Sequence, residues 1–126
     1  MRAIDTNVLV RLIVRDDAKQ LRIAQDFINS GVWVSHVVLV ETLWVLESVY
    51  EIERRGIAET VETVLDHPDL TIQDAVAVSA ALATFRKRPK VDFSDCLILE
   101  IARKAGHQPL GTFDRNLARV EGAEAL

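Results

Sequence analysis

The fold is decided by the stretch RAIDTNVL at residues 2–9 of the 126-residue chain. Arg2–Ile4 predicts a short strand that ends at Asp5, and Thr6-Asn7 predicts the cap of a helix. Apolar residues at positions 8, 9, 12 and 13 give that helix one apolar side. A strand, an acidic residue and a helix in direct succession predict the beginning of an α/β fold.

The same alternation continues along the chain. Further helices are predicted over about Asp17–Asn29, His36–Arg54, Ile57–Leu65, Ala75–Phe85 and Phe93–Ala105, with Gly56 separating the second from the third. Further strands are predicted at Val32–Val34, Leu70–Ile72 and Pro109–Thr112, and Ser35 is expected to cap a helix. This order predicts an α/β fold with a short, mostly parallel sheet. Ligands bind such sheets at the carboxyl ends of the strands, where Asp5 and Asp114 are expected.

Length and composition predict one soluble domain over residues 1–126. Hydrophobic residues make up 49% of the chain and charged residues 27%, which is a globular balance. Asp5 interrupts any early apolar run, and no apolar stretch is long enough for a membrane span, so we expect a cytoplasmic protein. The single cysteine, Cys96, excludes an internal disulfide and a cysteine-rich zinc site. The three histidines lie too far apart in sequence for a local zinc motif.

Net charge does not exclude a nucleic-acid partner. The chain has 15 basic and 19 acidic residues, a formal charge of −4. If four carboxylates bind metal ions, the remaining acidic residues equal the basic residues in number. The sign of the charge on each surface then depends on where these residues lie. Candidate RNA contacts are Arg11, Arg15 and Arg115, together with the basic run 86–90, for which a solvated helix end is the alternative interpretation.

Four acidic residues are the candidates for chemistry: Asp5, Glu41, Asp95 and Asp114. Glu41 interrupts a long apolar helix and shares a helical stripe with Val37 and Trp44, so we expect it to face protein. The alternative is a glutamate at the helix edge whose carboxylate reaches water. Each of the three aspartates has an equally simple alternative role, the capping of a helix.

The acids taken together favour a metal site. Oxygen ligands without histidine or cysteine suit Mg²⁺ or Mn²⁺. Such ions activate water and stabilise the leaving oxygen in phosphodiester hydrolysis, so the chemistry expected is phosphoryl transfer.

Four segments resemble the motifs of PIN-domain nucleases, and most closely the VapC-type toxin ribonucleases of toxin-antitoxin pairs. They are IDTNVL at residues 4–9, VETL at 40–43, DFSDCLI at 92–98 and GTFDRNL at 111–117. The resemblance covers nearly the whole chain in order.

The resemblance implies a three-layer α/β/α sandwich, a Mg²⁺- or Mn²⁺-dependent endoribonuclease, a homodimer and inhibition by a cognate antitoxin. Asp5, Glu41, Asp95 and Asp114 match the family's acidic quartet, with Asp5 and Asp95 as direct metal ligands. Polar positions that orient the acids or waters are matched by Asn7, Thr112 and Asn116.

Two other interpretations stay open from the residues alone. The chain could be another Mg²⁺-dependent phosphohydrolase, although the adjacent acids of receiver domains and the Asp-x-Asp of many phosphatases are missing. It could also be a non-catalytic interaction module whose acids only cap helices, and that module would bind no divalent ion.

Overall fold

The computed structural model describes residues 1–126 and has six α-helices and five short strands. The helices are α1 (Thr6–Val14), α2 (Ala18–Ile28), α3 (His36–Ser48), α4 (Arg54–Asp66), α5 (Ala75–Lys87) and α6 (Phe93–Lys104). The strands are β1 (Arg2–Ala3), β2 (Val32–Val34), β3 (Leu70–Ile72), β4 (Leu110–Thr112) and β5 (Ala123–Ala125), with a 3-10 helix at Leu117–Arg119. The predicted α/β class is confirmed. All of the helices are too short or too polar to be membrane-spanning segments.

The chain divides into two compact units, Met1–Gln73 and Asp74–Leu126, each with a parallel sheet. The sheet of the first unit has the order β1-β2-β3, and that of the second pairs β4 with β5. Strand β5 is absent from the sequence prediction, because Ala-Glu-Ala has little strand propensity. The interpretation as a single domain stays a prediction.

Side-chain caps fix the starts of the helices. Ser35 Oγ accepts a hydrogen bond from Val38 N at 3.1 Å, so the predicted cap of α3 is confirmed. The cap of α1 is Asp5, not Thr6-Asn7, since Asp5 Oδ1 accepts from Val8 N at 3.1 Å. A carboxylate accepts this bond at least as well as a hydroxyl or amide group does.

Helix α3 ends at Ser48, six residues before the predicted end at Arg54. The chain turns because Glu51 has a left-handed backbone (φ 54°) and Ile52 N donates to Leu46 O at 3.0 Å. Gly56 therefore lies inside the first turn of α4 rather than between two helices. A Cβ atom there would lie 2.6 Å from Ile52 Cγ2, so the glycine allows the turn to pack closely against α4.

Each unit has apolar packing that positions its acidic residues. In the first unit, Leu9 and Leu39 are fully buried, and α1 packs against α3. In the second unit, α5 packs against α6, and the rings of Phe85 and Phe93 meet edge to face with centroids 5.8 Å apart. Phe93 opens α6, so this contact holds the helix start that carries Asp95.

Candidate functional site

Asp5 lies where the first strand gives way to α1. Asp5 is exposed and follows Ile4, whose N–H donates to Trp33 O in β2 at 3.4 Å. Its Oδ1 caps α1, and its Oδ2 has no hydrogen-bond partner. The cap and the metal-ligand role are therefore compatible, because capping uses one carboxylate oxygen and leaves the other open to a cation.

Glu41 is exposed, so the expectation that its helical stripe faces protein is wrong. Val37 and Trp44 on that stripe are 74% and 64% exposed. The buried residues of α3 are Leu39, Thr42, Leu43 and Leu46. Periodicity fails here because α3 is apolar on almost every side, and such a pattern does not specify which side is buried. The alternative interpretation, a carboxylate that reaches water, is confirmed.

In the first unit, the helix that Asp5 caps and the helix that carries Glu41 are neighbours. Helix α1, which Asp5 caps, packs against α3, which carries Glu41. Asn7 lies exposed in the first turn of α1. An exposed amide beside a capping carboxylate can bind water or substrate without breaking the helix.

Asp95 lies in the first turn of α6 and is partly buried, and its carboxylate makes no hydrogen bond. Burial raises the pKa of Asp95, and the negative charges of Asp92 and Asp114 raise it further. Asp92 is the N-cap residue of α6, yet its carboxylate makes no capping hydrogen bond. Asp92 was not among the predicted site residues. The signal for it was its spacing of three residues from Asp95, which places the two acids on one helical turn.

Asp114 follows β4, and its side chain stabilises the loop in which it lies. Its Oδ1 accepts from Asn116 N at 2.8 Å and from Leu117 N at 2.9 Å, the start of the 3-10 helix. Thr112 Oγ1 accepts from Asp114 N at 3.0 Å. Thr112 thus orients the backbone of Asp114, and Asp114 retains one carboxylate oxygen for another partner.

These donors fit a hard divalent cation. All four predicted ligands offer carboxylate oxygens, the donor type that Mg²⁺ and Mn²⁺ prefer. A cation would also offset the burial and the neighbouring negative charges that together raise the pKa of Asp95. The structure gathers no three acidic, histidine or cysteine side chains around one ion position. The gathering of the four acids on metal stays a prediction.

The three candidate arginines differ in their surroundings. Arg11 Nη1 lies 2.6 Å from Asp16 Oδ1, and Arg11 Nη2 donates to the Tyr50 hydroxyl at 3.3 Å. These contacts tie the end of α1 to the turn after α3. Arg15 and Arg115 are exposed and form no ion pair. They are therefore better placed than Arg11 to meet a phosphate.

An open groove of about 650 Å³ lies between α1 and α2. Its lining is mostly apolar, with Val8 from α1 and Ile23, Ala24 and Phe27 from α2. Asp5, Asn7 and Arg11 add polar groups along the same groove. The ring of Phe27 is fixed by Arg2, whose guanidinium carbon lies 3.8 Å from the ring centroid.

Comparison with known proteins places the chain in a family. The model of the family described as PIN domain matches residues 3–123. The VapC ribonuclease of Aquifex aeolicus (strain VF5) is 28% identical over 125 residues, which cover 95% of this chain and 92% of that protein. No solved structure matches significantly. A family-model match over nearly the whole chain, together with the α/β fold, shows that this chain belongs to the PIN domain family.

Proposed function

We propose that this protein is a divalent-metal-dependent endoribonuclease and the toxin of a VapBC-type toxin-antitoxin pair. The observation that carries the proposal is Asp95 at the start of α6, a partly buried carboxylate without a hydrogen bond. Burial raises the pKa of Asp95, and the negative charges of Asp92 and Asp114 raise it further. An acid whose charge is disfavoured by burial and by neighbouring acids is typical of sites that bind a cation. The PIN family match and the VapC relative give the activity its class.

The residues have separate roles in the proposed reaction. Asp5 and Asp95 bind the ion directly, and Glu41 and Asp114 complete the ligand set. A bound Mg²⁺ or Mn²⁺ would supply the chemistry, which is activation of water and stabilisation of the charge on the phosphate. Hydrolysis would join the water oxygen to phosphorus and break the bond from phosphorus to one ribose oxygen, and that ribose oxygen would take up a proton from the water. Asn7, Thr112 and Asn116 hold the acids or waters in position.

The test is a cleavage assay on single-stranded RNA with Mg²⁺, with Mn²⁺ and with EDTA, beside a calorimetric titration of Mn²⁺. The proposal expects Mn²⁺ binding and cleavage that EDTA stops. A non-catalytic interaction module would bind no Mn²⁺ and cut no RNA. A different phosphohydrolase would bind the metal and hydrolyse p-nitrophenyl phosphate while leaving RNA intact.

Arg15 and Arg115 are proposed to bind the RNA backbone. Replacing either by alanine should weaken RNA binding and should reduce the salt dependence of log Kd by about 0.7, the value for one phosphate contact with a single strand. The check is fluorescence anisotropy with labelled RNA at several salt concentrations. Arg55→Ala is the matched control, because Arg55 is an exposed arginine whose partner is Glu59 on the same helix. Equal salt slopes for all variants would contradict the assignment.

We propose that a helix of the antitoxin binds in the groove between α1 and α2. Its apolar lining suits the apolar face of an amphipathic helix. Because Asp5 and Asn7 also line the groove, a helix bound there would cover them and inhibit the enzyme.

Ile23→Asp should weaken the antitoxin about 10- to 100-fold, since Ile23 is 60% exposed in the free protein and would be buried by the partner. The measurement is the antitoxin concentration that halves RNA cleavage. Val76→Asp makes the same change at an exposed valine on α5 and should leave that concentration unaltered. Equal inhibition of Ile23→Asp and the parent protein would place the antitoxin elsewhere.

A homodimer is also proposed, with the exposed stripe of α3 as its interface. The interface is formed by Val37 and Trp44, two large apolar side chains that are open to solvent, and Glu41 lies at its edge, where its carboxylate stays available to the ion. Contiguous exposed apolar surface of this kind marks protein interfaces. We propose further that residues 1–126 act as one domain and that the protein works in the cytoplasm.

A further inference from the structure

Phe113 is the most exposed large apolar side chain of the protein, with 85% of its surface open to solvent. It lies in the loop that joins β4 to the 3-10 helix, directly before Asp114. A phenylalanine side chain that is this exposed contributes nothing to the hydrophobic core. A partner that covers the ring would therefore explain its presence.

The backbone on both sides of Phe113 is fixed. Before it, β4 pairs with β5, and Leu126 N donates to Thr112 O at 3.0 Å. After it, Asp114 N donates to Thr112 Oγ1, while the Asp114 carboxylate accepts two backbone N–H groups. The ring thus projects from a loop that is already ordered, so a ligand that covers it need not order the backbone first.

The surroundings of Phe113 favour a nucleobase over a protein surface. Its chain neighbours Thr112 and Asp114 are polar, and the exposed cation Arg115, which forms no ion pair, follows two residues later. Protein interfaces need a contiguous apolar patch, as on α3. A nucleobase needs only one aromatic face, with a cation close by for its phosphate.

We propose that Phe113 stacks on an unpaired RNA base beside the phosphate that is cut. The inference rests on the proposed ribonuclease function and deepens it, since it makes Phe113 a positioning residue for the base next to the cut. Asp114 follows Phe113 at the next residue, so a base on the ring brings its own phosphate towards this acid.

The test compares Phe113→Ala and Phe113→Trp with the parent protein on single-stranded RNA that carries 2-aminopurine. Binding is measured in EDTA, where no cleavage is expected. Phe113→Ala should bind about 5- to 100-fold more weakly, the range for loss of one stacked base, and Phe113→Trp should bind at least as well as the parent. The parent should quench 2-aminopurine fluorescence, and Phe113→Ala should not. Val76→Ala removes another exposed apolar side chain of the same unit and should bind like the parent.

The outcomes separate this inference from the function on which it rests. If the parent protein cuts RNA in a metal-dependent way and Phe113→Ala binds and quenches equally well, the stacking role is wrong and the nuclease function stands. If Phe113→Ala weakens binding to duplex RNA by the same factor, the ring is not reading an unpaired base, and the inference is overturned. If the parent neither binds nor cuts RNA, both fail. Unchanged Mn²⁺ binding by Phe113→Ala confirms that the variant keeps its fold and its acids.

Discussion

Asp95→Asn is expected to lower metal-dependent RNA cleavage by about 10²- to 10³-fold or more. Asparagine keeps the size of the side chain but removes the negative charge that binds the cation. Asp5→Asn should have a similar effect, since Asp5 is the other proposed direct ligand. The measurement is the rate of cleavage of single-stranded RNA under saturating Mg²⁺, with a calorimetric titration of Mn²⁺ for each variant.

The same variants should remain folded, which separates lost chemistry from lost structure. The amide oxygen of Asp5→Asn can still accept the hydrogen bond from Val8 N that caps α1. Asp95→Asn should be slightly more stable than the parent in EDTA at pH 7, because its carboxylate is charged at a cost from burial and from two neighbouring acids. We expect a rise in Tm of about 1–3 °C, since solvent screens a partly exposed carboxylate.

Asp26→Asn is the matched control, because Asp26 is exposed on α2 and takes no part in the site. It should keep full cleavage and full Mn²⁺ binding. Full metal-dependent cleavage by Asp95→Asn would show that Asp95 is not a ligand. A lower Tm of Asp95→Asn in EDTA would instead show that the Asp95 carboxylate stabilises the fold. That result would contradict the unfavourable effect expected from its burial and its neighbouring acids.

Strands β2 and β3 and the start of α3 could be predicted because they depend on the local sequence. Val32–Val34 and Leu70–Ile72 are apolar runs bounded by turn residues, and both strands lie where the sequence places them. Asp5 and Ser35 cap helices because each side chain accepts a hydrogen bond from the backbone N–H three residues further along the chain. The positions of Asp95 at a helix start and Asp114 after a strand follow from the same local signals.

The side of α3 that faces the core could not be predicted, because it depends on long-range packing. The sequence of α3 is apolar around most of its circumference, so Glu41 could equally have faced inward. The early end of the helix depends on Glu51, a residue without the usual preference for a left-handed backbone. The open groove between α1 and α2 likewise arises from the packing of whole helices.

The exposed stripe of α3 leads to a second prediction of large effect, the loss of the proposed dimer by Trp44→Arg. Tryptophan is the residue type that most often dominates interface energetics, and its loss from an interface costs about 2 kcal/mol or more. In a twofold dimer each copy uses the same patch, so one substitution removes the contact twice. Arginine also places two like charges at the interface, which adds repulsion.

We therefore expect Trp44→Arg to weaken dimerisation about 10³-fold, enough to make the protein monomeric at micromolar concentration. Sedimentation equilibrium of the parent and the variant measures this directly. Ile23→Arg is the matched control, because Ile23 is as exposed as Trp44 but lines the α1–α2 groove, and that variant should remain a dimer. If the Trp44→Arg variant forms a dimer as stable as that of the parent protein, the interface does not lie on α3. Dissociation by both variants would instead extend the interface to the groove, and the antitoxin and the second copy would then compete for one surface.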